Sequence, residues 1–93
     1  MASYRTQVRI IADVLRTAKD KGNDGVGITL LLRKANLSYA RLLKIVSTLV
    51  ASGLMEEVMI EKTLRYKISD KGVEFLQAYA HFEEFANSFG LGL

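Results

Sequence analysis

The side chains best suited to binding chemistry lie between residues 38 and 52, where cations and hydroxyl groups recur at helical spacing. Arg41 and Lys44 are one turn apart, and Ser47 and Thr48 continue the same polar face. Guanidinium and ammonium groups bind phosphate oxygens, and hydroxyl groups donate to phosphates or to base edges. The pattern therefore indicates a surface that binds a polyanion. The alternative is the solvated polar face of an ordinary helical hairpin.

Two predicted helices separated by a tight turn position this face. Ser38 is a suitable N-cap for the second helix, and Gly53 tolerates the left-handed conformation that ends helices. Thr29 is predicted to cap the shorter helix before it, Leu30 to Ala35. The apolar side of the second helix follows one stripe: Leu42, Ile45, Val46, Leu49 and Val50. A short helix, a turn at Asn36-Leu37 and a longer helix form a helix-turn-helix pattern.

A β-hairpin is predicted after these helices, because the apolar period changes there from helical to two. We expect Ile60 opposite Leu64 and Val58 opposite Tyr66, with Glu61-Lys62-Thr63 at the tip. This register would place the apolar side chains of both strands on one face of the ribbon.

The predicted elements at the two ends of the chain are long helices. The first runs from Tyr4 to Lys21, and a glycine-rich loop then leads into a short edge strand around Val26 to Ile28. The last begins after the cap Ser69 and runs from Asp70 to about Phe89. It carries a heptad seam of apolar residues, which predicts a homodimer interface: Phe75, Tyr79, Phe82, Ala86 and Phe89. The alternative is a broad helix face buried within one protomer.

Composition and charge place limits on the kind of protein. Ninety-three residues make one domain, in which we expect residues 1–69 to carry the helix-turn-helix and its polyanion-binding face and residues 70–93 to form the dimerisation helix. Residues 1–55 hold nine basic and three acidic side chains, whereas residues 56–93 hold four and seven. A basic front and an acidic rear suit a protein that faces a polyanion with one side. Without Cys, an apolar leader or a membrane-length apolar stretch, we expect a cytoplasmic protein.

Catalytic groups are not brought together by the sequence pattern. The single His, His81, lies on the last helix, and the adjacent pairs Glu56-Glu57 and Glu83-Glu84 do not point at a common atom in a strand or a helix. No cluster has the spacing of metal ligands. We therefore expect no enzymatic activity, no cofactor or metal, and no small-molecule ligand.

Three segments resemble a known family of proteins. They are RIIADVL at residues 9–15, ANLSYARL at residues 35–42 followed by LVASGLM at residues 49–55, and YKISDKGVEFLQAY at residues 66–79. Together with the predicted order of elements, they resemble the small archaeal winged-helix family. That family includes the ten-kilodalton Sulfolobus chromatin-type DNA-binding proteins and many predicted transcriptional regulators.

The resemblance implies a mostly helical α+β fold, a winged helix-turn-helix with a C-terminal dimerisation helix. It also implies binding of double-stranded DNA by a homodimer. By position, the family's recognition helix is matched by Ser38, Tyr39, Arg41, Lys44 and Ser47, and its wing by Lys62 and Arg65. This wing departs from the family pattern in being acidic.

Four basic residues outside the recognition helix and the wing could also contact DNA. Arg33 and Lys34, with Arg5 and Arg9, are candidate contacts to the DNA backbone. A transcriptional regulator is the favoured role. The alternatives are an architectural chromatin-type protein with little sequence specificity, and a protein-interaction module that uses the same fold.

Overall fold

The computed structural model describes residues 6–91. Its elements follow the predicted order and form a mostly helical α+β fold, which confirms the predicted class. They are α1 (Gln7–Lys21), a 3-10 turn (Gly22–Asp24), α2 (Ile28–Ala35), α3 (Tyr39–Ala51), β1 (Met55–Ile60), β2 (Thr63–Ile68) and α4 (Asp70–Ser88). The predicted start of the first helix at Tyr4, and Arg5, lie outside the described residues.

Hydroxyl caps begin two of the helices that were predicted to have them. The Ser38 Oγ accepts a hydrogen bond from the Arg41 N–H at 3.2 Å, and the Ser69 Oγ accepts one from the Gly72 N–H at 3.1 Å. Gly53, just past the end of α3, has a φ of +79°, as a helix-terminating glycine should.

The predicted cap at Thr29 is wrong. Helix α2 begins two residues earlier than predicted, at Ile28 instead of Leu30, with Gly27 as an N-cap that offers no side chain. The reason lies in the preceding residue. Val26 exchanges two backbone hydrogen bonds with Tyr66, of 2.8 and 2.9 Å, and the chain leaves this bridge directly into the helix. The expected edge strand is thus a single bridging residue.

The hydrophobic core lies between α1, α2, α3 and the base of the hairpin, and α4 covers it from the side of α1. The largest fully buried side chains come from all of these inner elements: Leu15, Leu31, Leu42, Leu49, Met55, Val14, Val26 and Val46. The apolar stripe predicted for α3 is therefore the stripe that the fold buries, except that Val50 is only partly buried.

The hairpin register differs from the prediction by one residue. Met59 lies opposite Leu64 and Val58 lies opposite Arg65, so Val58 and Tyr66 are on opposite faces of the ribbon. A two-residue turn sets this register. Glu61 and Lys62 both have positive φ, 50° and 66°, a backbone conformation that matches the twist of adjacent strands.

The slipped register is tolerated because the core covers only the base of the hairpin. Met55 and Tyr66 lie on the inward face and are buried. Met59 and Leu64 lie on the same face near the tip, beyond the core, and are 67% and 42% exposed. The requirement to bury apolar side chains therefore did not select the register there.

Helix α4 begins in close contact with the base of the hairpin. A Cβ added at Gly72 would collide with the carbonyl oxygen of Leu54 and with the Ile68 side chain. The Ser69 hydroxyl also donates to the Gly53 carbonyl at 2.6 Å. Further along, Arg16 of α1 pairs with Glu83 at 3.5 Å and lies over the Tyr79 ring, 5.7 Å from its centroid. These contacts fix which side of α4 faces the rest of the chain.

Candidate nucleic-acid interface

The outward face of α3 carries the side chains that the sequence singled out. Ser38, Tyr39, Arg41, Lys44 and Ser47 are all exposed, and Tyr39 retains 55% of its accessible surface. The opposite side of the same helix is buried in the core. All five predicted residues are thus exposed to solvent and available to a partner, and Arg41 and Lys44 are the pair that lies together.

Arg41 and Lys44 share a shallow cleft between α3 and the start of α1. Its volume is about 350 Å³, and Gln7, Ile45 and Thr48 complete its lining. Among residues 6–91, neither cation forms a salt bridge with a carboxylate. An unpaired cation keeps its full capacity for a phosphate or a base edge.

The hydroxyl groups on this surface differ in what they can donate. The Ser38 oxygen already accepts the capping hydrogen bond of α3, and the Thr48 hydroxyl donates to the Lys44 carbonyl at 2.9 Å. Thr48 is therefore occupied by its own helix. Ser47 and Tyr39 have no such intrahelical hydrogen bond and remain the better donors to a ligand.

Comparisons with known proteins agree with this arrangement. A profile of the winged helix-turn-helix family matches residues 4–87. The chain belongs to the winged helix-turn-helix family.

A solved structure has the same fold. The crystal structure of Sso10a-2, a DNA-binding protein from Sulfolobus solfataricus, is similar with a TM-score of 0.74 at 22% sequence identity. The similarity covers 91% of this chain and 85% of that one. No curated protein matches the sequence. In the winged helix-turn-helix fold, α3 occupies the position of the second helix of the helix-turn-helix, and the β1–β2 hairpin is the wing.

The two predicted wing cations lie in different environments. Lys62 is exposed at the tip of the hairpin. Arg65 is partly buried, and its Nη1 donates to the Asp24 carbonyl at 3.4 Å, so its guanidinium lies against the loop after α1. Three exposed carboxylates accompany Lys62 on the wing, at Glu56, Glu57 and Glu61. The wing tip is thus a weakly basic surface at most.

Tyr66 lies buried on β2, opposite Glu57 of β1. Burial raises the pKa of its phenol, and the charge of Glu57 and the nearby Tyr39 raise it further. Tyr39 therefore lies close to the wing as well as on the outer face of α3. Sequence periodicity identified Tyr66 as a core residue but gave no sign of this neighbourhood.

The predicted backbone contacts are exposed and occupy two separate positions. Arg33 and Lys34 lie in the last turn of α2, where cations also stabilise the helix dipole. Arg9 lies on the exposed side of α1. Sequence reasoning missed Lys21, which lines a cleft together with Arg33 and Arg65. No local pattern identifies it, because the three residues come from separate elements.

The aromatic face of α4 differs in part from the predicted dimer seam. Tyr79 and Ala86 are buried within the protomer, and Phe75 is partly buried against the core, with its ring stacked on Tyr79. Phe82 and Phe89 are exposed by 55% and 67%. Tyr79 and Ala86 are thus corrected to core positions.

A neighbouring set of residues carries the exposed apolar surface of α4. It has heptad spacing and shares three residues with the predicted seam. We call it the aromatic stripe: Phe75, Ala78, Phe82, Phe85 and Phe89. Phe85 is 64% exposed, and its ring packs edge-on against that of Phe89 at 5.1 Å between centroids.

Within residues 6–91, no group of three or more His, Asp or Glu side chains is placed to hold a metal ion. His81 is exposed on α4. None of the helices in this range is long and apolar enough to cross a membrane.

Proposed function

We propose that this winged-helix protein binds double-stranded DNA with the outward face of α3 in the major groove. The observation that carries the proposal is the pair of exposed, unpaired cations Arg41 and Lys44 on the helix that the fold presents outward. The major groove, about 12 Å wide, admits a helix with its side chains. The fold shared with Sso10a-2, a DNA-binding protein, adds support.

The residues of α3 and of its surroundings contact different parts of the DNA. Arg41 and Lys44 reach base edges or flanking phosphates, since they lie in the first two turns of the helix. Tyr39 and Ser47 donate to phosphates or bases from the same face, and Ser38 supports them chiefly as the helix cap. Arg33, Lys34 and Lys62 neutralise backbone phosphates at the border of the site. Arg65 contributes its positive charge to this border, but its guanidinium is partly buried and bonded to the Asp24 carbonyl.

The active form is a homodimer joined through the aromatic stripe of α4. An exposed row of three Phe rings on a 93-residue protein is the type of contiguous apolar patch that marks an interface. A two-fold axis through this stripe pairs two recognition helices, which reach successive major grooves when they are about 34 Å apart. Each protomer then contributes one half-site.

The favoured biological role is that of a cytoplasmic transcriptional regulator that recognises an operator. A helix with an Arg and a Lys facing base edges, next to a weakly basic wing, derives more of its affinity from the major groove than from the wing. An architectural protein that coats DNA would show a specificity ratio well below ~10³ over random DNA, and a protein-interaction module would show no DNA affinity.

The test is a binding series with genomic fragments and random duplexes across a range of salt concentrations. Replacing Arg41 and Lys44 together by Ala should weaken binding strongly and leave the unfolding temperature unchanged. A lost bidentate contact is worth ~1–3 kcal/mol, and each lost phosphate contact reduces the salt slope by about one. Undiminished binding by the double variant would show that α3 is not the recognition helix.

The matched control for this test replaces Lys19 and Lys71 by Ala. The double substitution removes the same amount of charge from exposed positions outside α3. It should change DNA affinity much less than the Arg41 and Lys44 substitutions, because these two cations do not lie on the proposed interface.

A further inference from the structure

A second basic cleft lies between the start of α2 and the wing. Lys21, Arg33 and Arg65 line it, together with the hydroxyl-bearing residues Thr29 and Thr63. Its volume is about 280 Å³, and it shares no residue with the cleft beside α3. Within the part of the chain that the structure describes, no Asp or Glu is among its lining residues. Three cations around a concave surface without a carboxylate are suited to an oxyanion.

The cation of Arg65 is incompletely compensated in the free protein. Its Nη1 has a long hydrogen bond to the Asp24 carbonyl, whereas its Nε is shielded from solvent and has no hydrogen-bond partner. Partial burial of a charged group without a matching acceptor is unfavourable. A negative charge in the adjoining cleft would offset this cost.

The backbone beside these cations adds to the positive potential. Helix α2 spans eight residues from Ile28, and no side chain caps its first N–H groups, because its N-cap is Gly27. A helix start of this kind carries a partial positive charge that favours anions. The bridge between Val26 and Tyr66 holds the start of α2 in place beside the wing.

The position of the cleft relative to α3 indicates which oxyanion it meets. Eight helical residues extend about 12 Å, and the other end of α2 leads directly into the turn before α3. The start of α2, which borders the cleft, is therefore separated from the turn before α3 by the length of α2, which is about the width of a major groove. At that distance, the sugar-phosphate strand that borders the groove is the nearest source of phosphate.

We propose that this cleft binds one backbone phosphate of the DNA duplex whose major groove receives α3, an inference that rests on the proposed function. Lys21 and Arg33 contact the phosphate oxygens directly, and Arg65 supplies charge from the wing side. The cleft, rather than the wing tip, where Glu61 offsets Lys62, is then the anchor on the wing side of the site.

The experiment scans one strand of a bound duplex with single methylphosphonate substitutions, each of which removes one phosphate charge. It compares the parent protein with Lys21→Ala/Arg33→Ala and with the control Lys19→Ala/Lys71→Ala, which removes the same total charge elsewhere. In the parent and in the control variant, replacing one particular phosphate should weaken binding. In Lys21→Ala/Arg33→Ala, the cleft variant, replacing the same phosphate should have no effect on binding. Because a single phosphate contact is lost, the salt slope of the cleft variant should fall by ~0.9, so the loss of affinity between 50 and 200 mM salt shrinks about 3.5-fold.

A second variant separates loss of binding from loss of fold. Thr29 is exposed in the first turn of α2, so Thr29→Glu should stabilise the helix dipole and maintain or raise the unfolding temperature. The same carboxylate would repel a phosphate in the cleft and weaken DNA binding. A stable Thr29→Glu protein with unchanged DNA affinity would overturn the proposal.

The remaining outcomes distinguish the sources of phosphate. If the parent binds DNA and its methylphosphonate profile is identical in the cleft variant, the cleft assignment is wrong while the proposed function stands. If the parent binds no DNA, both are wrong. A further outcome is that millimolar inorganic phosphate shifts the amide resonances of Ile28 and Thr29 in a protein whose methylphosphonate profile is the same in the parent and the cleft variant. In that case the cleft binds a free anion, and the assignment to a DNA phosphate is overturned.

Discussion

Truncating Phe82 should dissociate the proposed dimer. Its side chain is 55% exposed in the protomer, and a Phe side chain buries roughly 150–250 Å². At 55% exposure, about 80–140 Å² is available for burial against a partner, so replacement by Ala removes at least about 80 Å² from each chain, or about 160 Å² per dimer. At ~25 cal/mol per Å² the loss is about 4 kcal/mol, which weakens the dimer roughly a thousandfold. The two-fold symmetry doubles the effect of the single substitution.

Sedimentation equilibrium and light scattering over a range of concentrations measure this change directly. Met59→Ala is the matched control, because Met59 is 67% exposed but lies on the wing, away from α4. Phe82→Glu should give monomers at all accessible concentrations and weaker DNA binding, since the two recognition helices would no longer act together. A parent protein that is monomeric at micromolar concentration, or a Phe82→Ala dimer as tight as the parent, would refute the assignment of the aromatic stripe.

Three further substitutions test the fold and the wing. Gly72→Ala should destabilise the protein by about 1–3 kcal/mol in urea unfolding, because the new Cβ meets the Leu54 carbonyl. Gly27→Ala meets nothing within 4 Å, so it should cost less, and only because Ala is a poorer N-cap than Gly at the start of α2. Tyr79→Phe removes a buried hydroxyl without a hydrogen-bond partner, so the unfolding free energy should stay level or rise, and a loss above ~1 kcal/mol would show that the hydroxyl is paired. Burial, followed by the charge of Glu83, raises the Tyr79 pKa above its ordinary value of 10.0, so unfolding releases a proton above that pH. Stability should therefore fall as the pH rises past 10.0, and less steeply in Tyr79→Phe. Lys62→Ala should weaken DNA binding less than Arg41→Ala, since the adjacent Glu61 offsets the charge of Lys62. The opposite order in a binding titration would contradict the weak role given to the wing tip.

Local patterns in the sequence were enough to predict the helix-turn-helix. An apolar stripe with helical spacing has to face the core, and the polar residues between its members then face outward whatever the rest of the fold does. Ser38 and Gly53 act within one turn of their own positions, so their capping roles follow from residue type. The family resemblance, drawn from three segments, was confirmed on the same residues.

The hairpin register and the inward side of α4 were decided by tertiary structure. The apolar pattern of the wing predicted one register, but the positive-φ turn at Glu61 and Lys62 set another, and the core reached too little of the ribbon to oppose it. In α4, apolar residues occupy more than one side of the helix, so periodicity alone could not choose between them. The contact of Gly72 with Leu54 fixed the rotation of the helix, which buried Tyr79.

The second basic cleft also exists only in the folded chain. Lys21, Arg33 and Arg65 are separated by 12 and 32 positions in the sequence, and each belongs to a different element. The bridge between Val26 and Tyr66 brings those elements together. Residue types and periodicity thus determined the faces of single helices, because those depend on neighbours one turn away. Sites shared between elements depended on the turns and close contacts that set one element against another.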